Sequence, residues 1–201
     1  PSQFEFTFDP QRAMAAADNA VLFRHMVKSV CARNGLHATF MSRPRVPNGM
    51  ASGWHVHQSV TDIDSDENRF TPQAGREPTA IASGWIAGLL EHAVSGCMLT
   101  TPTVNGYKRY LSALLAPDRV QWAHDNKGAM LRALFREGDP ASRIENRTPE
   151  PAANPHLAIA SQILAGLDGV PFANEYALAL AVGCLGTANK QGIPSVRMVL
   201  L

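Results

Sequence analysis

The apolar residues of this chain change period along its length, and that change limits the folds open to it. In "QFEFTF", residues 3–8, Phe4, Phe6 and Phe8 alternate with Gln3, Glu5 and Thr7. This is the two-residue repeat of a half-buried strand whose polar face carries a carboxylate. From about 13 to 34 the repeat lengthens: Val21, Leu22, Met26, Val27 and Val30 fall on one helical stripe, and Gly35 is placed to end it. "HATFMS" (37–42) and residues 52–60 read as two further strands, with the turn-rich "RPRVPNG" between them. Residues 61–78 are polar with Gly and Pro, and read as a loop. Thr79 to Met98 forms a second helical pattern with Ile81, Trp85, Leu89, His92 and Gly96 near one face, and its small residues predict close packing. Residues 100–118 are irregular, and "DNKGAMLRALF" is strand-like. "NPHLAIASQILAGLDG" is a third helix, with Asn154 as cap, Pro155 in first position and Gly169 at the end. No internal repeat appears. Such a mixture predicts an α+β fold, an antiparallel sheet with helices packed on one side.

Composition narrows the function classes. With 201 residues, 45% of them apolar and 17% charged, the chain can bury the core of one ordinary domain. A formal net charge of +1 offers no strong field for nucleic acid or an acidic membrane, and the few basic residues of "RPR" and "KRY" do not change that. Cys31, Cys97 and Cys184 are far apart and outside any CxxC pattern, as in a reduced cytoplasmic protein. No signal peptide is visible and no apolar run reaches membrane-spanning length. The chain opens on Pro1 and ends on "VRMVLL", and both ends read as those of a piece of something longer.

In "GWHVHQS" (53–59), a strand would aim His55 and His57 the same way. Such a pair can ligate a metal, can divide between a metal and a ligand, or can be half-buried and satisfied by carbonyls. Glu5 in "QFEF" and Glu145 in "SRIENR" also sit in strand-like contexts. Two carboxylates and an imidazole suit Mg²⁺ or Mn²⁺, especially when phosphates complete the shell. Arg109, Arg132, Arg143 and Arg147 supply planar forks for carboxylate or phosphate. Each also has a plainer interpretation: Glu145 between Arg143 and Arg147 can be a surface ion-pair cluster, and Arg109 a solvated loop charge. His25, His92, His124 and His156 are taken as structural or surface residues.

Taken in order, "QFEF", "HATFM", "SGWHVHQS", "NGYKR", "AP", "DN", "SRIENR" and "EPAANPHLAIASQILAGLDG" resemble the catalytic domain of the glutamine synthetase family, from about residue 3 to 170. The last segment is the most specific, since the family reads PAANPY near this helix's start and AGLDG at its end. The resemblance implies ATP- and metal-dependent activation of glutamate to γ-glutamyl phosphate, which ammonia or an amine then displaces. It implies Glu5 as a ligand of a first metal and His55 and Glu145 as ligands of a second. His57 and Ser59 match nucleotide contacts, Arg132 and Arg143 match phosphate-side or nucleotide-side arginines, and Arg109 and Arg147 match arginines holding the glutamate carboxylates. It further implies a ring-shaped homo-oligomer whose active sites lie between subunits.

Departures from the family pattern carry the specificity argument. Where the family's flap reads GYEAP, residues 112–117 read "SALLAP", and Leu115 stands at the glutamate that helps deprotonate ammonium. The glycine loop "NGSGMH" reads "MASGWH", so Ala51 and Trp54 are expected to add bulk near the amino-acid substrate. The arginine of "NRSA" is Lys127, which keeps the charge and a catalytic or ATP-binding role but loses the bidentate fork. These changes predict a γ-glutamyl-amide ligase using an organic, apolar amine. An ordinary glutamate–ammonia ligase is the runner-up, and a non-catalytic remnant or assembly protein the rival of another class. The family's smaller N-terminal β-grasp domain is absent here, so residues 1–170 are expected to be a partial catalytic domain, inactive alone. Residues 171–201, with Gly192 and Pro194 before an apolar run, resemble the first hairpin of pyridoxamine-phosphate-oxidase-like flavoproteins, in which the match to Arg197 contacts the FMN phosphate. No flavin is assigned to this chain.

Overall fold

The computed structural model describes residues 3–110, 116–170 and, for the backbone alone, 196–200. The elements run β1 (Gln11–Arg12), α1 (Ala13–Arg33), β2 (Val56–Asp62), α2 (Ala80–Glu91), α3 (Ala93–Thr100) and α4 (Val104–Tyr107). A 3₁₀ turn over Lys108–Tyr110 follows, then β3 (Trp122–His124), β4 (Leu131–Leu134), β5 (Arg143–Asn146), α5 (Pro155–Gly169) and β6 (Val196–Leu200). One sheet has the order β1-β6-β2-β5-β4-β3. The fold is α+β as the periodicity predicts. All of its ladders are antiparallel except β3–β4. A parallel pair needs the chain to return along the full strand, and β3 is short enough for the link 125–130 to do so. Asp125 makes the reversal in the left-handed region, at φ 43°.

Strand alternation divides the sheet into two faces. Val56 and Val60 of β2, Leu131 and Ala133 of β4 and Ile144 of β5 are buried with Trp85, Ile86 and Leu89 of α2 and Ile159 and Ile163 of α5. These two helices pack tightly, as the small residues predict. A Cβ on Gly88 would lie 2.8 Å from the Gly169 nitrogen, and one on Gly166 would run into the Trp85 ring. Behind the sheet, Trp85 Nε1 donates to Gln58 Oε1 at 2.8 Å. Asn146 Nδ2 donates to Gln162 Oε1 at 2.5 Å, and Gln58 Nε2 approaches the same oxygen at 3.4 Å. Helix α5 begins as expected: Asn154 Oδ1 accepts from His156 N at 3.0 Å and Pro155 holds the first position.

Several expectations are corrected. Residues 3–8 are not a strand. Phe6 and Phe8 instead meet Phe23 of α1 edge-on at 5.0 and 5.1 Å, and Gln3 Nε2 donates to Ala51 O and Ser52 Oγ. Residues 37–42 are not a strand either, because Phe40 joins the same aromatic group and Ser42 O accepts from Ser52 N. The α1 stripe does not enter the core: Val21, Leu22, Met26 and Val30 are exposed, while Ala17 is buried and Ala13 and Ala16 pack against the core. The small face lets α1 approach its neighbours, and the large side chains are left outside. The second helix is interrupted at His92, whose Nε2 lies 2.7 Å from Asp168 Oδ2 of α5. Strand β2 starts at Val56 rather than 52. Of the 171–201 segment, Val196–Leu200 pairs with both β1 and β2 in the same sheet, and the other arm of the expected hairpin lies outside the described residues, as does Leu115.

Candidate active site

The sheet face turned away from α2 and α5 carries the charged residues. Register places His57 of β2 and Arg132 of β4 on either side of Glu145 of β5. His55, two residues before His57, reaches the same carboxylate: its Nδ1 lies 3.1 Å from Glu145 Oε1. Arg147 Nη1 donates to Oε1 at 3.1 Å and Arg132 Nη1 to Oε2 at 3.1 Å, with His57 Nε2 3.9 Å from Oε1. Glu145 is 2% exposed. Burial pushes its carboxyl up, but the His55 hydrogen bond together with His57 and Arg147 overrides that and holds it at about 2. Glu145 is therefore a fixed anion.

His57 has the opposite electrostatics. Burial foremost, helped by Arg143, His55 and Arg132 and opposed by Glu145, lowers it to about 4. Arg143 Nε donates to His57 Nδ1 at 3.0 Å, so the neutral ring carries its proton on Nε2, toward Glu145. The ion-pair geometry between His57 and Glu145 is thus a contact of a neutral imidazole at pH 7. Ser59 is buried, and alternation puts it on the same face of β2.

The arginines differ in what is left of them. Arg147 is 6% exposed, and its Nε is buried with no hydrogen-bond partner among the described residues. Arg132 is gripped by Asp125, with Nε donating to Oδ1 at 2.8 Å and Nη2 on the same oxygen. Arg109 is 2% exposed and turns inward. Its Nη1 donates to Thr148 O at 2.9 Å and Pro149 O at 3.1 Å, and its Nη2 to Arg147 O at 3.1 Å. It braces the backbone that carries Arg147. Gly53 lies against both groups: a Cβ there would sit 2.7 Å from Arg109 Nη2 and 2.8 Å from His55 Nε2. Glycine keeps that wall of the site open.

Other expected residues fall outside this cluster. Glu5 is exposed, and among the described residues no three His, Cys, Asp or Glu side chains gather closely enough to hold a metal ion. The donor set that does form, a fixed carboxylate beside an imidazole, suits a divalent cation as part of a shell completed by water or phosphate oxygens. Lys127 is exposed in the turn before β4 and forms no ion pair among the described residues. Ala51 is half-buried, its carbonyl held by Gln3. Trp54 is corrected: alternation sends it to the helical side, where its ring lies 5.1 Å from the Arg24 guanidinium, so it adds no bulk beside His55.

Two residues of the region stand inside the quoted segments "DN" and "EPAANPHLAIASQILAGLDG", yet nothing in the sequence assigns either a role. Asp125 is the first residue of "DN", and nothing local marks it as Arg132's partner. Glu150, between two prolines, is fully buried and accepts from Ser42 Oγ at 2.5 Å, Thr103 N at 2.8 Å and Thr103 Oγ1 at 2.9 Å. Its partners lie about fifty to a hundred residues away, beyond any local signal.

Comparison with known proteins identifies the family. Residues 1–183 match the family model for the catalytic domain of glutamine synthetase. The chain is 50% identical over 172 residues to the gamma-glutamylanilide synthase of an Acinetobacter species, covering 85% of this chain and 34% of that protein. It is 40% identical over 169 residues to the glutamine synthetase of Thermococcus kodakarensis, covering 84% of this chain and 37% of that protein. Against the glutamine synthetase of Thermus thermophilus it is 40% identical over 171 residues, or 85% and 37% of the two chains. The chain thus spans about a third of the length of the curated relatives it matches. No helix among the described residues is long and apolar enough to cross a membrane. With its matched segments folded around one buried carboxylate, the chain belongs to the glutamine synthetase family, through the catalytic domain.

Proposed function

We propose that this chain supplies part of the active site of an ATP- and divalent-metal-dependent ligase that joins glutamate to an organic amine through γ-glutamyl phosphate. The observation that carries the proposal is the Glu145 cluster: an anionic carboxylate and His55 side by side, ringed by Arg132, Arg143 and Arg147. Phosphoryl transfer asks a protein for positioning and charge neutralisation more than for covalent help. Glu145 and His55 would hold one Mg²⁺ or Mn²⁺, which when bound neutralises charge on the transferring phosphoryl group. Glu5, exposed here, would serve a second metal only with further ligands around it.

The chain's own residues divide the remaining work. Arg132 and Arg143 would face the phosphates. Asp125 holds Arg132 in orientation, and Arg143, by donating to His57 Nδ1, fixes the neutral ring with its proton on Nε2. Arg147, whose Nη1 is held by Glu145, would turn its remaining guanidinium donors toward a substrate carboxylate. Arg109 would act on glutamate from the side of Nη2 that Gly53 leaves open, besides bracing residues 147–149. Ser59 and Lys127 would contact the nucleotide, and Ala51 the amino-acid end. A ring-shaped assembly would complete the site from a neighbouring subunit.

The amine is the finer question. The relative named gamma-glutamylanilide synthase, at 50% identity, supports an aromatic amine. So does Leu115, which can neither accept a proton nor attract ammonium where the family places a glutamate. The test is product formation by the full-length protein with Mn²⁺–ATP, glutamate and either aniline, an alkylamine or ammonium. Faster γ-glutamyl-amide formation with aniline than with ammonium is expected. Equal or better turnover of ammonium would make it an ordinary glutamine synthetase. No turnover with any amine, together with no Mn²⁺-dependent ATP binding, would make it a non-catalytic member of the family.

A further inference from the structure

A second basic cluster lies on another part of the chain. The segment 43–49 has no helix or strand, yet its start is built in. Arg43 N donates to Asn105 Oδ1 at 2.8 Å, and Asn105 Nδ2 donates back to Arg43 O at 2.9 Å, so one side-chain amide grips the backbone as a paired strand would. Ser42, just before, is anchored on buried Glu150. At the far end Gly49 N donates to Val46 O at 3.1 Å, with Asn48 in the left-handed region at φ 57°. The segment closes against Lys108 around a concavity of about 570 Å³ lined by Arg43, Pro44, Arg45, Val46, Gly49 and Lys108.

The lining holds three cations and no carboxylate. Among the described residues none of the three cations forms an ion pair. Like charges gathered in a concavity repel one another and focus the field into it. The fixed backbone means that the cost of bringing Arg43 here is met in folding and not on binding. Arg offers a fork and Lys a point charge, a combination that matches clustered anionic oxygens, while Pro44 and Val46 give an apolar backing.

We propose that the Arg43–Arg45–Lys108 concavity is a binding site for a small, multiply charged anion bearing phosphate or adjacent carboxylates, separate from the Glu145 cluster. The inference does not depend on the ligase proposal. The test is titration of the ¹⁵N-labelled chain with pyrophosphate and, separately, citrate, following backbone amides, with sodium chloride at matched ionic strength as control. Expected are shifts at 43–49 and 105–108 that Arg43→Gln with Lys108→Gln weakens by about tenfold or more and that Arg132→Gln with Arg143→Gln leaves unchanged. A response to pyrophosphate alone assigns the site to phosphates, to citrate alone to polycarboxylates, and to both to either chemistry. The proposal is overturned if shifts appear only around 57–59, 132 and 143, if chloride reproduces them, or if the Arg43/Lys108 variant, still folded by its spectrum, binds as the parent does.

Discussion

Replacing Glu145 with glutamine keeps the side chain's shape and removes its charge. In the parent, Oε1 serves His55 and Arg147 and Oε2 serves Arg132. Glutamine keeps one acceptor and turns an N–H toward one of the cations. Arg132 retains Asp125 as counter-charge, but Arg147, only 8% exposed in its side chain, has no other ion pair among the described residues. Breaking a buried pair outright costs about 3–5 kcal/mol, and the retained shape and acceptor bring the expected cost to about 3 kcal/mol. Proton linkage gives the same size independently. A carboxyl at about 2 in the fold against 4.5 ordinarily corresponds to about 3 kcal/mol at pH 7. The folded value is the lower one, so this stabilisation is present above pH 4.5 and is lost as pH falls toward 2. Urea unfolding followed by tryptophan fluorescence should therefore find Glu145→Gln about 3 kcal/mol less stable at pH 7, with the gap closing to roughly half at pH 3. Equal stability at pH 7, or a gap that does not shrink in acid, would refute the assignment of Glu145 as a buried, cation-held anion.

Two further outcomes follow from the same structure. His57 sits at about 4 in the fold against 6.5 ordinarily, so the unfolded chain binds more protons between those values. Stability should fall by about 3 kcal/mol as pH drops from above 6.5 to 4, and unfolding midpoints of His57→Gln at pH 7 and 4.5 should lie much closer together than the parent's. Gly166→Ala would press a methyl into the Trp85 ring; a loss of about 1–3 kcal/mol is expected, with a shifted tryptophan emission, and an unchanged thermal midpoint would contradict the tight α2–α5 crossing.

The sequence was most legible where local signals and tertiary packing agree. Asn154, Pro155 and Gly169 mark the limits of α5 because capping acts within a few residues. His55, Glu145, Arg132, Arg143 and Arg147 were found through segment order, and strand alternation then brought them together. Legibility failed where partners are distant. The phenylalanines of "QFEFTF" fit a strand, but their partner is Phe23 on a helix. The α1 stripe has core spacing, yet packing selected the alanine face, since only small side chains allow the close approach. Arg109's bracing role is equally hidden, since its three backbone acceptors at 147–149 cannot be seen in "GYKRY".

The amides behind the sheet have a consequence for strand registry. Sliding β2 by two residues against β5 would keep every apolar side chain in the core, because strand alternation repeats every two residues. Hydrophobic contacts alone resist such a slide weakly. It would, however, replace Gln58 by a valine opposite Gln162 and leave the Trp85 N–H with no acceptor. A stranded buried donor costs about 1–3 kcal/mol, which is enough to make the slid state rare. Since Gln58 is flanked by His57 and Ser59, and Asn146 by Glu145 and Arg147, the vernier that aligns the charged face is cut on the dry side of the sheet.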